Sequence, residues 1–280
     1  MAYSKKIYRF KDSNEYEYTY AGKYGAKGEK RAKKTKPTKE QIKRQNQKNK
    51  EIRYRRLIKA NFSQGDLWCC LKYPQGYRIP IEEVKKDLKK FLKMLRKNYK
   101  DKHQELKFIY RMEIGSRGGI HIHILVNRIW HTQTDLILLK AWEEVLRRRK
   151  ITKKRASGLL DYKSIYDSGG YQSLAEYITK QPAEDSEEYK QLSLFAPVQQ
   201  KILLSVSSSR NLIRPEPQKK EIKHWTMRHI LEDGPKPSKG YYIDKESVVC
   251  GINPYTGMSY LKYTEVRIRG KTERGQPWSE

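Results

Sequence analysis

The sequence predicts an α+β fold, and three observations carry that expectation. Between Asp66 and Gln181 the apolar patterns follow the order strand, helix, strand, strand, helix, strand, helix. The two longest helical stretches each have one apolar face and one charged face, so each needs a sheet to bury against. Between them, LKFIYRMEIGSRGGIHIHILVNR (Leu106 to Arg128) reads as two strands joined by a Gly/Ser turn. A sheet with helices packed mainly on one face satisfies that order.

Taken in order, residues 1–62 read as a basic N-terminal arm. Lys23 to Lys59 holds sixteen Lys/Arg against three Glu, starting with the glycine-rich GKYGAKGEK. From Thr38, with Glu40 and Gln41 in the first turn, a long basic helix is expected. Only Ile42, Ile52, Leu57 and Ile58 offer it packing, so a solvated tail competes with a nucleic-acid-gripping arm. Residues 63–182 read as the core. DLWCCLKY (66–73) suits a buried strand ended by Pro74 and Gly76. Ile81, Val84, Leu88, Phe91, Leu92 and Leu95 then mark the strongest helix, opened by Pro80, Glu82 and Glu83. After the hairpin, Leu136, Leu139, Trp142, Val145 and Leu146 mark a second helix, LLDYKSIY a strand, DSGG a turn and YQSLAEYITKQ a short helix stopped before Pro182. Residues 183–280 read as a C-terminal extension. It has an acidic, Gln-rich loop over 183–200, a basic patch at Arg210 and Arg214, and a β-hairpin around NPYTG.

The formal charge of +29 and pI near 9.8 exceed what solubility needs and favour a polyanionic partner, held by phosphate contacts that weaken with salt. No apolar run approaches about 18 residues, so no membrane partner is expected. MAYSKKIYRF lacks an apolar signal core, and three cysteines (Cys69, Cys70, Cys250) form neither a CxxC motif nor a disulfide framework. A reducing cytoplasm is the expected compartment. The 21 tyrosines offer base-stacking surface and many possible nucleophiles.

The candidate chemistry starts in the hairpin. Strand side chains alternate faces, so His121 and His123 point one way and Ile120, Ile122, Ile124 and Val126 the other. On the first strand Arg111 and Glu113 share a face, and cross-strand pairing would set Glu113 beside both imidazoles. Two nitrogens and a carboxylate make a candidate divalent-metal site. Imidazoles suit zinc, and the added carboxylate with open positions also suits Mg²⁺ or Mn²⁺ on phosphate oxygens. In the last core helix Tyr177 and Lys180 are one turn apart, so both could serve one site. A phenol with a pKa near ~10 is a poor nucleophile until a cation or metal favours its phenolate.

A His-x-His strand followed by a helical Tyr-x-x-Lys resembles the HUH endonucleases, specifically the rolling-circle replication initiators with a single tyrosine. The resemblance covers Asp66 to Gln181, with GGIHIHILV as the metal motif and AEYITK as the tyrosine motif. SSSRNLIRPEP is similar to a segment downstream of that helix in plasmid and phage initiators. The first motif departs from the family's Thr-rich pattern, with Cys69, Cys70 and Lys72 where hydroxyl residues are common. The resemblance implies a central antiparallel sheet of the RNA-recognition-motif type, and Mg²⁺ or Mn²⁺ held by His121, His123 and Glu113. It also implies Tyr177 as nucleophile, with Lys180 orienting the phosphate. The expected activity is nicking and rejoining of single-stranded DNA through a 5′-phosphotyrosine, leaving a 3′-OH primer. Partners would be an origin hairpin, a host helicase (no GxxxxGK[ST] occurs in the sequence) and a host polymerase, in bacterial cytoplasm. Lys72, Arg111, Arg117, Arg210 and Arg214 are expected DNA contacts. Tyr171 is expected to pack, stack or start the helix. A relaxase or single-strand transposase would share the chemistry, and a non-catalytic nucleic-acid-binding protein would use the histidines as core or stacking residues.

Overall fold

In a computed structural model, described for residues 2–22, 32–151, 159–166 and 169–268, the elements run as follows. β1 (Tyr3–Arg9) and β2 (Ser13–Tyr20) precede α1 (Lys39–Asn61), β3 (Leu67–Leu71), α2 (Ile81–Asp101), β4 (Phe108–Ile114), β5 (Ile120–Val126), α3 (Thr134–Arg148) and β6 (Leu160–Ser164). α4 (Gln172–Thr179), α5 (Glu187–Ser193), α6 (Pro197–Leu204), β7 (Val206–Ser208), β8 (Gln218–Ile222), α7 (His224–Asp233), β9 (Tyr241–Asn253) and β10 (Met258–Arg267) follow. The chain divides into a unit spanning Asn46–Ile213 and a unit joining Met1–Gln45 to Arg214–Glu280. None of the helices among the described residues is long and apolar enough to cross a membrane.

The Asn46–Ile213 unit is built on an antiparallel sheet in the order β6-β3-β5-β4-β7. Its α+β architecture is RRM-like, as expected. One face carries Leu67, Cys69 and Leu71 of β3, Met112 and Ile114 of β4, and Ile120, Ile122, Ile124 and Val126 of β5. These pack against the apolar faces of α2 (Val84, Leu88, Phe91, Leu95) and α3 (Leu138, Trp142, Val145, Leu146). The opposite face is covered over Trp68, Ile109 and Leu125 by the end of α1 (Tyr54, Leu57, Ile58) and by α4 (Ala175, Ile178). The rest of that face carries the polar side chains.

The other unit has its own antiparallel sheet, β8-β1-β2-β10-β9. Tyr3, Tyr16, Tyr18, Leu261 and Tyr263 pack there with Met227 of α7. The hairpin expected around NPYTG is β9–β10, closed by the Gly257 amide on the Asn253 carbonyl at 2.7 Å.

Two segments differ from expectation. Within the expected arm, Tyr3–Arg9 and Ser13–Tyr20 are paired strands: their alternating tyrosines are a period-2 signal that the overall basic charge obscured. The basic helix does form, capped reciprocally by the Thr38 hydroxyl on the Gln41 amide (3.2 Å) and the Gln41 side chain on the Thr38 amide (2.9 Å). The region 183–200, expected as a loop, contains α5, which starts with the Ser186 hydroxyl accepting from the Tyr189 amide, and the first half of α6. Most of GKYGAKGEK and the Asp167-Ser168 half of the DSGG turn lie outside the described residues.

Candidate metal centre and the tyrosine facing it

The site is assembled by strand register on the polar face of the first sheet. β4 and β5 pair Glu113 with His121 and Arg111 with His123, and β3 sets Cys70 opposite His123. Glu113 Oε2 lies 2.9 Å from His123 Nε2, and one ligand atom from each of Glu113, His121 and His123 falls within 4.8 Å of the others. Among the described residues this is the one group of three such side chains. It fits a divalent cation: the donor set is two imidazole nitrogens and one carboxylate, converging from adjacent strands.

The electrostatics suit the same use. Burial pushes the Glu113 carboxyl upward, but the hydrogen bond with His123 and the positive charge of Arg111 outweigh it, so Glu113 titrates below the usual carboxylate range. Burial, then the neighbouring His123, holds His121 below its ordinary value, which keeps it neutral with a lone pair to give. His123 is fixed by packing: Trp68 stacks on its ring at 5.6 Å between centroids and 9° between planes. Its Nδ1 is buried without a hydrogen-bond partner among the described residues.

α4 brings Tyr177 onto this cluster. Its Oη is 3.3 Å from His123 Nε2, and its ring meets His123 and Trp68 edge-on at 5.3 and 5.8 Å. The side chain is 44% exposed, so the phenol is reachable from solvent. Burial, then the negative charge of Glu113, raises its pKa above the ordinary value, and the hydroxyl stays protonated at neutral pH.

Arg111 fixes the end of that helix. It is 4% exposed, and its Nη1 donates to the carbonyls of Tyr177 (3.3 Å), Ile178 (3.3 Å) and Lys180 (2.6 Å). These are orphan acceptors at a helix C-terminus, where a cation is favoured. Its Nη2 is 3.9 Å from Glu113 Oε1. The expected DNA contact at Arg111 is therefore corrected: the guanidinium is buried between the helix and the cluster.

Other expected residues fall variously. α4 ends at Thr179, and Lys180 turns into extended backbone (ψ 137°), so it does not sit one helical turn above Tyr177. Its ammonium is exposed and makes no hydrogen bond or ion pair among the described residues. Lys72 pairs with Asp161 across β3 and β6. Arg117 and Arg210 are exposed in turns, and Arg214 is exposed on the following segment. Tyr171 is buried at the α4 N-terminus in a left-handed conformation (φ 62°), which fits its expected role as a packing or helix-start residue.

Two residues of the site escaped the sequence reading. Trp68 shares a strand face with Cys70, so strand parity alone would have aimed it at the histidines. Gly115 ends β4 where a Cβ would lie 2.8 Å from His121 Cε1. Gly115→Ala is expected to displace that imidazole and weaken Mn²⁺ binding about tenfold or more, read by titration calorimetry.

The fold and the ligand cluster thus describe an RRM-like protein with a candidate metal centre on its open sheet face. Residues 66–182 match the family model for the replication-associated protein ORF2, the stretch holding all of these side chains. The match is consistent with a replication protein. No curated protein matches the chain.

Proposed function

We propose that this protein initiates rolling-circle replication by nicking and rejoining single-stranded DNA through a covalent 5′-phosphotyrosine at Tyr177. One observation carries the reading: Tyr177 Oη and His123 Nε2 are 3.3 Å apart although 54 residues separate them in sequence. A metal cluster alone fits many proteins, whereas a reachable phenol aimed at the cluster fits phosphoryl transfer. The family match over residues 66–182 supports the replication role.

Glu113, His121 and His123 would hold Mg²⁺ or Mn²⁺, which when bound would draw negative charge from the scissile phosphate. The Tyr177 oxygen forms a bond to phosphorus as the bond to the 3′-oxygen breaks; the phenol proton is lost and the 3′-oxygen gains one. One phosphodiester replaces another, so the step is reversible and consumes no nucleotide. The Trp68 and His123 rings hold the phenol in place before substrate arrives, which lowers the orientational part of the barrier. Lys180, exposed just past the helix, is assigned the phosphate contact. The released 3′-OH would prime a polymerase.

The test uses the full chain, Mn²⁺ and a labelled single strand carrying the origin hairpin found beside its coding region. A covalent protein–DNA adduct should appear on denaturing gels and vanish with EDTA. An adduct that survives EDTA removes the metal cluster from the mechanism. Tight binding without any adduct leaves the non-catalytic alternative.

A further inference from the structure

The chain turns from Lys180 into a groove of about 580 Å³ within the Asn46–Ile213 unit, lined by α1 and α6 with Lys50, Arg53, Tyr54, Gln181, Lys201 and Leu204 among its walls. Three cations and no carboxylate line it. Lys50 Nζ finds only the Leu204 carbonyl, at 3.5 Å, and the Arg53 guanidinium lies over the Tyr54 ring at 5.2 Å. Among the described residues none of the three cations forms an ion pair. Burial, then the positive charges of Arg111 and Arg53, pushes the Lys50 ammonium below its ordinary pKa. Like charges gathered in a partly dry concavity repel one another, and a polyanion relieves that repulsion.

The groove also leads toward the candidate site. Gln181 directly follows the carbonyls that Arg111 holds, and Leu204 lines both the groove and a small crevice bordered by Arg111 and Glu113. Arg53 already covers the Tyr54 ring, so the groove offers charge rather than a stacking platform.

We propose that this groove grips the phosphodiester backbone of the single strand flanking the scissile phosphate, independently of base sequence. The proposal rests on the reading of Tyr177 as nucleophile for what the strand is doing there. The test measures binding of fluorescein-labelled oligothymidylate by anisotropy in EDTA across a salt series. The full chain is compared with Lys50→Gln/Arg53→Gln/Lys201→Gln and with Arg53→Glu/Lys201→Glu, which changes only exposed positions. Lys89→Gln/Lys93→Gln/Lys97→Gln on the exposed face of α2 is the charge-matched control. Three lost phosphate contacts should make the slope of log K against log salt shallower by about 2 and weaken binding roughly 100-fold at 0.1 M salt. The control should do neither. An unchanged slope in both groove variants, or an equal change in the control, overturns the groove. The adduct assay separates the two readings: a full chain that forms the adduct while the groove variants keep their slope loses only the groove. A groove-dependent slope in a chain that forms no adduct loses only the nickase.

Discussion

Tyr177→Phe is expected to abolish the covalent adduct completely while leaving single-strand affinity within about threefold of the parent chain. The phenyl ring keeps the edge contacts with Trp68 and His123, so α4 stays where it is and the loss is confined to the attacking oxygen. Gel detection of the adduct and anisotropy of the unreacted strand give the two readouts. The parent enzyme should also show a characteristic pH dependence. Burial and Glu113 raise the Tyr177 pKa, so its reactive phenolate is scarce at neutral pH and grows about tenfold per pH unit until the operative pKa is reached. Single-turnover cleavage at saturating Mn²⁺ should rise with pH over that range, and a flat profile would show that phenol ionisation does not control the step. Persistence of the adduct in the Phe variant would move the nucleophile elsewhere. Tyr171, the neighbour considered from sequence, is buried among Leu57, Ile58 and Ala175 and poorly placed to replace it.

Most of the sheet was legible because its strands obey period 2 against one buried face. The β5 sequence IHIHILV separates ligands from core by parity alone, and Glu113 opposite His121 follows once β4 and β5 are neighbours. The α2 stripe was equally readable, since its apolar residues repeat at helical spacing against lysines. What could not be read is where chemistry depends on distant chain segments. Arg111 lies on the same strand face as Glu113, but charge alone suggested DNA. Only the arrival of α4's C-terminus, 66 to 69 residues later, makes it an internal donor. Lys180 failed for a local reason: the helix ends one residue too early for an i, i+3 relation, and the following Gln181-Pro182 disfavours continuing it. The strands Tyr3–Arg9 and Ser13–Tyr20 were hidden because their partners β8 and β10 lie some 200 residues or more away in sequence.

Arg111→Met should reduce single-turnover cleavage about 100-fold at saturating DNA while changing strand affinity little. α4 has eight residues, too short to hold its own shape without tertiary support. Its C-terminal carbonyls converge on one guanidinium, so removing that donor leaves three acceptors to find water in a buried place. Losing hydrogen bonds to a charged group costs about 1.5–3 kcal/mol of stability, which a thermal melt will register. The catalytic loss has a different origin: an ångström of drift in Tyr177 costs on the order of 100-fold in rate. Glu113 meanwhile loses the positive neighbour that helps to keep it ionised. Arg111→Lys keeps the charge but not the planar fork, so it should restore part of the rate and reach fewer of the carbonyls. A structural readout stands apart from activity. The Tyr177 and His123 rings, 5.3 Å apart, should give a nuclear Overhauser contact in the parent chain that weakens in Arg111→Met and returns in part with lysine. If strand affinity falls instead and saturated cleavage is unchanged, Arg111 meets DNA as its charge alone suggests. A fall in rate with affinity and fold retained makes it the residue that registers the nucleophile on the metal ligands.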